Sequence, residues 1–98
     1  MKVRYTPRAF AERERIFSYL EARNPQAARR VIGLIMQRID ELGSEPYKGR
    51  PVDRGGLFTL WVTPFRYRIY YRIDNDCVVI IHIRHTSRKS WRVIERLN

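Results

Sequence analysis

The most regular alternation of apolar and polar positions lies between residues 65 and 84. Apolar residues alternate with basic ones over residues 67–73, and residues 77–84 are apolar at nearly every position. Period-two alternation is typical of a strand with one buried face, and a continuous apolar run is typical of a central strand. The Asp-Asn-Asp triplet at 74–76 is typical of a turn. The pattern therefore predicts a β-hairpin at the centre of a sheet.

The register of this hairpin decides which side chains share a face, because a shift of one residue exchanges the two faces. A three-residue loop at 74–76 predicts a core face of Tyr67, Ile69, Tyr71, Ile73, Val79, Ile81 and Ile83. The opposite, open face then carries Arg66, Arg68, Tyr70, Arg72, His82 and Arg84. In this register Arg68 faces His82, and Arg66 faces Arg84. A two-residue loop would bury His82 and Arg84, so the three-residue loop is favoured.

The N-terminal half has the spacing of a strand followed by two helices. Residues 2–5 alternate as a short strand, and Thr6-Pro7 and Asn24-Pro25 each combine a capping side chain with a proline suited to the first helical turn. The first apolar stripe comprises Ala9, Phe10, Ile16, Phe17 and Leu20, with Glu12 off the stripe. The second comprises Ala28, Val31, Ile32, Ile35, Ile39 and Leu42. A break at residues 22–24 and a cap at Gly43 predict an antiparallel helix hairpin.

The remaining segments complete an α+β topology. Residues 44–56 have the composition of a loop, residues 57–62 that of a strand in which Trp61 packs, and residues 89–98 that of a short helix or an irregular tail. The predicted order is an N-terminal strand, an antiparallel helix hairpin and a three-strand antiparallel meander. Both helices are expected on one face of the sheet.

Composition limits the partners of the chain. Its 98 residues predict one domain spanning residues 1–98, and its net charge of +10 favours anionic partners such as nucleic acid or an acidic protein. Cys77 is the only cysteine, which excludes a disulfide within the chain and favours a reducing compartment. One cysteine and two histidines are too few for a predicted metal cluster, and no window predicts a membrane span. We therefore expect a cytoplasmic protein.

Several segments in this order resemble one family. The GRPVDRGG loop, the PFRYRIYYRIDND hairpin and the ending IIHIRHTSR are similar to the RelE/ParE superfamily of toxins from bacterial toxin–antitoxin modules, over roughly residues 1–90. The resemblance implies a cognate antitoxin with an acidic or amphipathic segment, a toxin–antitoxin hetero-oligomer and no cofactor. It also implies one of two targets, since some members cut messenger RNA on the ribosome and others poison DNA gyrase.

The ribonuclease pattern can be carried over onto three residues. Arg68 matches the strand arginine that contacts phosphate in RNA-cleaving members, and Arg84 or His85 falls at the end of the last strand, where those members place an arginine or a histidine. RNA cleavage needs a base, an acid and cations for the phosphorane charge. The arginines would supply charge, and His82 or His85 would transfer protons. Strict alternation, however, places His85 on the core side.

A binding role draws on a wider set of residues. Basic and aromatic side chains can neutralise phosphate and stack on bases, and Tyr70 on the open face is the predicted recognition residue. The predicted target-binding or nucleic-acid-binding residues are Arg50, Arg54, Arg66, Tyr70, His82 and Arg88. Alternatively, Arg68 and Arg84 bind no target and are either solvated at the edge of the sheet or paired in salt bridges with Asp53 or Glu45.

Departures from the ribonuclease pattern favour the gyrase branch. RNA-cleaving members usually carry an aromatic hydroxyl soon after the last strand, or an ionisable base in the preceding loop and strand. This chain has Trp91 in the tail and no ionisable group in residues 57–62. The long helix hairpin and the RPVDRGG loop also resemble the gyrase-directed branch. A ribosome-dependent endoribonuclease and a non-toxic basic nucleic-acid-binding domain remain as alternatives.

Overall fold

The computed structural model describes residues 1–52 and 55–86. Its elements in chain order are β1 Lys2–Tyr5, α1 Pro7–Arg23, α2 Pro25–Ser44, β2 Arg50–Pro51, β3 Leu57–Val62, β4 Tyr67–Asp74 and β5 Cys77–His85. The sheet has the order β1-β5-β4-β3-β2, with β1 parallel to β5 and the other pairs antiparallel. Both helices pack on one face of this sheet, so the predicted α+β class is confirmed. Neither described helix is long and apolar enough to cross a membrane.

The two predicted helix starts are confirmed by their caps. The hydroxyl of Thr6 accepts a hydrogen bond from the Ala9 amide at 3.0 Å, and the side chain of Asn24 accepts one from the Ala27 amide at 3.1 Å. The predicted three-residue break is wrong, because α1 continues to Arg23 and Asn24 alone separates the helices. One residue suffices because Asn24 ends α1 and caps α2 at once.

The predicted end of the second helix is also corrected. The helix passes through Gly43 to Ser44, and Glu45 is its C-terminal cap. Gly43 instead lies against the N-terminus of the chain, where the Met1 amino group donates to the Gly43 carbonyl at 2.7 Å. A Cβ at position 43 would lie 3.0 Å from the Met1 carbonyl oxygen, so the glycine permits close approach of two backbones.

The hydrophobic core lies between the helices and one face of the sheet. The α2 stripe is confirmed, since Val31, Ile35, Ile39 and Leu42 are buried and Ile32 packs against them. The α1 stripe is confirmed in part. Ala9 is buried and Ile16 and Leu20 pack on the core, whereas Phe10 is 48% exposed. The sheet contributes Val62, Tyr67, Ile69, Tyr71, Val78, Ile80 and Ile83.

The predicted hairpin register is wrong along its whole length, because the strand partners beyond a bulge are shifted by two residues from the predicted ones. The predicted assignment of residues to the two faces is wrong near the turn and correct beyond the bulge. Asp74 pairs with Cys77, so the loop has two residues, and its Asn75 has the positive φ of 56° that such turns demand. Tyr71 consequently pairs with Ile80 and places Val78 and Ile80 in the core, instead of Val79 and Ile81. A shift between Tyr70 and Tyr71 leaves Ile81 as the extra residue, and beyond it odd positions face odd ones again.

The segment predicted as a loop contains a short edge strand. β2 pairs with β3, and the Tyr71 hydroxyl holds the backbone before it by donating to the Pro46 carbonyl at 2.8 Å and accepting from the Gly49 amide at 2.9 Å. Burial raises the pKa of Tyr71, which keeps this hydroxyl protonated.

The predicted tail of residues 89–98 lies outside the described residues.

Candidate functional site on the open face

Strand pairing assembles two rows of side chains on the face of the sheet that the helices leave uncovered. In the first row Trp61 of β3 pairs with Arg68 of β4, and Arg68 pairs with Arg84 of β5. We call these three residues the Arg68 row. The neighbouring row, which we call the Tyr70 row, contains Arg50, Thr59, Tyr70 and His82. The sequence-based register placed His82 opposite Arg68, and the bulge corrects this partner to Arg84.

Neighbouring side chains hold Arg68 in one orientation. Its Nε donates to the Thr59 hydroxyl at 3.2 Å, and its guanidinium carbon lies 4.7 Å from the Trp61 ring centre and 5.1 Å from the Tyr70 ring centre. Cation–π contacts of this kind contribute about 0.5–1 kcal/mol at exposed sites. Trp61 is 49% exposed, which corrects the prediction that it packs. The row thus presents an oriented cation on an open indole.

A carboxylate from α1 holds the other end of the Arg68 row. Arg84 donates to Glu12 at 3.1 Å, and the second carboxylate oxygen accepts from the Ile83 amide at 3.0 Å. β1 pairs with β5 only as far as Ile80, so the Ile83 amide has no strand partner on that side. Glu12 supplies the missing acceptor. Arg84 therefore forms a salt bridge, as the alternative interpretation predicted, and the partner among the described residues is Glu12. Asp53, one of the two predicted partners, lies outside the described residues.

Glu12 is buried, contrary to its predicted position off the apolar stripe. Burial works to raise the pKa of its carboxyl, but the contacts with His82, the strand amide and the Arg84 guanidinium outweigh burial and hold the pKa below its ordinary value of 4.5. The carboxylate is therefore ionised at neutral pH. The sequence contained one indication of this burial. Glu12 follows Ala9 by three residues and precedes Ile16 by four, so all three lie on the side of α1 that faces the sheet.

His82 and Tyr70 lie on the open side but are not exposed. His82 is 2% exposed and Tyr70 is 5% exposed, and their rings meet edge to face. Tyr70 belongs to a second small apolar cluster, in which it packs with Leu57, Val52 and Ile81. The His82 Nδ1 lies 3.6 Å from a carboxylate oxygen of Glu12, which is longer than a hydrogen bond. Exposure at these two positions was predicted and is not observed.

His85 lies on the helix side of the sheet, as strict alternation predicted. It pairs with Tyr67, and the two rings meet edge to face at 5.0 Å. Both line a cavity of about 470 Å³ between α1 and the end of β5. The sheet thus separates His85 from Arg68. Arg84 pairs with Arg68 and also lines the cavity that contains His85, so the structure does not bring all three residues predicted for catalysis together on one face.

Of the other predicted binding residues, Arg50 belongs to the Tyr70 row and Arg66 lies outside both rows. Arg50 is exposed on the edge strand β2, and Arg66 is exposed in the turn before β4, where its carbonyl accepts from the Thr86 amide at 2.7 Å. Arg54 and Arg88 lie outside the described residues. In the described ranges no group of three His, Cys, Asp or Glu residues has the arrangement of a metal site. Trp61, Thr59 and Glu12 were not predicted as site residues.

The fold defines the structural class of the protein. The chain superposes on a structure of the chromosomal ParDE toxin–antitoxin system from P. aeruginosa with a TM-score of 0.76, covering 87% of this chain and 95% of that one at 20% identity. At that identity the match establishes the fold, a RelE/ParE-type arrangement of a helix hairpin on a five-stranded sheet.

Sequence comparison then identifies the family. Residues 3–90 match the family model described as the ParE toxin of the type II toxin–antitoxin system parDE. The chain is 33% identical over 90 residues to the Y4kP protein of Sinorhizobium fredii, covering 92% of each. It is 34% identical over 85 residues to Toxin RelE3 of Caulobacter vibrioides, covering 85% of this chain and 91% of that protein. The chain belongs to the ParE toxin family within the RelE/ParE superfamily, as the resemblance predicted.

Proposed function

We propose that this type II toxin stops growth by binding DNA gyrase through the Arg68 row and poisoning the enzyme, without cleaving RNA itself. The observation that carries the proposal is that neither histidine of the chain is open on the face that holds Arg68. His82 is buried against Glu12, and His85 lies on the helix side with Tyr67. The match to the ParE family model supports the same branch.

The chemistry of the Arg68 row favours binding over catalysis. Cleavage through a 2′-hydroxyl requires a group that takes a proton, and arginine remains protonated in proteins. Arg84 is also committed to the Glu12 carboxylate. Exposed tryptophan and oriented arginine are, by contrast, the residue types that contribute most to protein–protein interfaces. We infer a protein target for this row.

We infer that a cognate antitoxin neutralises the toxin as a hetero-oligomer in the cytoplasm. The P. aeruginosa structure is that of a toxin–antitoxin system, and the net charge of +10 on this chain favours an acidic or amphipathic segment as its partner. An antitoxin segment that folds as it binds can cover a large surface of the toxin. The loss of conformational entropy on folding lowers its affinity for a given contact area, so the segment can still dissociate.

The second candidate is a ribosome-dependent messenger RNA endoribonuclease. The pairing of Arg68 with Arg84 favours it, because two adjacent cations would stabilise the charge of a phosphorane. The relative named Toxin RelE3 keeps this branch open as well. In this mechanism His85 would transfer the proton, which requires it to reach the face that carries Arg68.

The experiment is to induce the full chain without antitoxin and to follow DNA topology and messenger RNA in the same culture. The gyrase proposal predicts growth arrest, double-strand breaks and altered supercoiling while transcripts remain intact. Rapid transcript cleavage in phase with codons and unchanged DNA would overturn it in favour of the endoribonuclease. Normal growth at high expression would contradict both and favour the non-toxic nucleic-acid-binding alternative.

His85→Ala separates the two toxic mechanisms. A gyrase poison retains its growth inhibition in this variant, because His85 lies on the other face of the sheet from Arg68 and Trp61, whereas the endoribonuclease loses its cleavage. The edge-to-face contact with Tyr67 contributes about 0.5–1.5 kcal/mol, so thermal melting of the purified variant must first show that it is folded at the growth temperature.

A further inference from the structure

A basic cleft lies on the open face, at the opposite end of β4 from the Arg68 row. It has a volume of about 410 Å³ and is lined by Arg4, Thr6, Arg8, Arg72, Asp74, Val79, Ile81 and His82. Arg72 lies four residues along β4 from Arg68, which separates the two sites by roughly 13 Å at the rise of a strand. The cleft is therefore distinct from the surface proposed to bind gyrase.

Strand pairing explains why arginines form two walls of this cleft. Val79 of β5 pairs with Arg4 of β1 on one side and with Arg72 of β4 on the other. Paired residues point to the same face, so the small valine forms a floor between two long side chains. Two interstrand spacings separate the two arginine backbones by roughly 10 Å. This gap admits a small anion between their guanidinium groups.

A third arginine approaches from the start of α1. Arg8 lines the same cleft, its side chain is 45% exposed, and its Nε lies 3.9 Å from a carboxylate oxygen of Glu12. The Thr6 hydroxyl is occupied, since it accepts from the Ala9 amide and donates to the Ile81 carbonyl. Two arginines from the start of the chain and one from β4 thus line the same cleft.

The charge in the cleft is not neutralised by its own walls. Three arginines and one aspartate give a net charge of +2 with His82 neutral, from three positive charges and one negative. With the residues that the structure describes, neither Arg4 nor Arg72 forms an ion pair or a side-chain hydrogen bond. Uncompensated neighbouring cations repel each other, and an anion between them removes that repulsion.

We propose that this cleft binds a phosphate group. Guanidinium groups pair with phosphate through two parallel hydrogen bonds, and a tetrahedral phosphate offers oxygens to arginines on three sides at once. A planar carboxylate has only two oxygens, which two arginines already satisfy. The phosphate would come from the backbone of DNA, as a phosphodiester, or from a free phosphate monoester. This site stands independently of which target the Arg68 row contacts.

The test is a titration of the ¹⁵N-labelled full chain, followed by NMR at the arginine Nε and backbone amide signals. The probes are inorganic phosphate, a mononucleotide and a short DNA duplex, each at constant ionic strength. We expect Arg4, Arg8 and Arg72 to shift together and to saturate. Saturation by duplex but not by the small probes assigns the site to a phosphodiester, and saturation by all three assigns it to phosphate in general.

A charge-matched pair of variants makes the test specific. Arg4→Gln with Arg72→Gln removes two charges from the cleft, and Arg29→Gln with Arg30→Gln removes two exposed charges from α2. Loss of two charged hydrogen-bonding partners weakens phosphate binding by at least about tenfold, and the salt slope of duplex binding falls by about 1–2. The α2 variant should change binding by no more than about twofold because its charges are remote and screened.

Two outcomes would overturn the proposal. Equal weakening in both double variants would mean that the chain responds to net charge and has no site. Acetate or citrate shifting the three arginines as strongly as phosphate at equal ionic strength would mean that the cleft does not select phosphate. All four arginines of the variants are exposed, so both variants are expected to fold, and melting curves check this.

Discussion

The two faces of the same sheet have opposite roles, although their residues alternate along the same strands. On the helix side Val62, Ile69, Tyr71 and Ile80 are fully buried. On the open side Trp61 is 49% exposed, and four strands contribute arginines to this face, namely Arg4, Arg50, Arg68, Arg72 and Arg84. Stability in this small protein therefore comes mainly from one face of the sheet, and the other face can carry charge.

The division between the faces is not complete. The open side carries its own small buried cluster around Leu57 and Tyr70, and α1 reaches the sheet edge with the buried carboxylate of Glu12. These features link function to fold, because the cluster supports the ring beneath Arg68 and the carboxylate fixes Arg84. Substitutions on each side should therefore differ in size and in kind.

The largest loss of stability is expected from the helix side. Ile69→Ala removes a fully buried side chain and should lower the free energy of unfolding by about 3 kcal/mol, because the packed core cannot close the cavity. Ile81→Ala at the bulge, where the side chain is half-buried, is the matched control and should cost roughly 1 kcal/mol. Chemical denaturation measures both. Equal losses would contradict the division between the faces.

Glu12→Gln should produce the next largest loss. It removes a charged acceptor from the Ile83 amide and from Arg84, which costs about 2 kcal/mol at pH 7. The pKa of Glu12 is lowered by folding, so its contribution is fully present above pH 4.5 and is lost as the pH falls through the lowered value. The wild-type and variant stability curves should therefore converge in acid.

Glu14→Gln is the control for that pH dependence, since its side chain is 55% exposed on the same helix. This variant should follow the wild-type curve throughout. A constant difference between wild type and Glu12→Gln across the whole acid range would show that the Glu12 carboxylate does not titrate with folding.

Tyr71→Phe should cost less, about 1 kcal/mol, because it removes only the hydroxyl that bridges Pro46 and Gly49. Gly49→Ala should act on the same contact, since a Cβ there would lie 2.6 Å from the hydroxyl. Hydrogen exchange at the Gly49 amide measures the opening of this segment. Tyr47→Phe, 70% exposed, is the control, and equally fast exchange in it would contradict the role of the bridge.

The smallest effect on stability is expected on the open face. Arg68→Ala removes the hydrogen bond that Arg68 Nε donates to the Thr59 hydroxyl and two cation–π contacts, which should change the free energy of unfolding by no more than about 1 kcal/mol. Thermal melting checks this value. A loss as large as that of Ile69→Ala would make Arg68 a structural residue and remove it from the proposed binding surface.

Local patterns in the sequence were sufficient to predict the helices and much of the core. The caps at Thr6 and Asn24, the α2 stripe and the inward tyrosines Tyr67 and Tyr71 all depend on near neighbours or strict alternation. The placement of His85 on the helix side followed from the same alternation.

The register and the buried carboxylate could not be predicted in this way. The two-residue turn was set aside because it would bury Arg84, but the extra residue at the bulge restores the outward direction of Arg84. A bulge leaves no distinct residue pattern in an apolar run. Glu12 is buried because β1 ends opposite Ile80, which leaves the Ile83 amide without a strand partner, and the Glu12 carboxylate accepts from that amide. This arrangement depends on residues far apart in the sequence.

The most direct test of the account is growth inhibition by Arg68→Ala compared with Arg29→Ala, an exposed α2 arginine that gives the same loss of charge. Both variants and the wild type are induced without antitoxin, and the amount of folded protein is measured in each culture. We predict that cells expressing Arg68→Ala grow normally although they contain as much folded protein as cells expressing the wild type. Arg29→Ala should remain as toxic as the wild type. Full toxicity of Arg68→Ala would contradict the assignment of function to the open face.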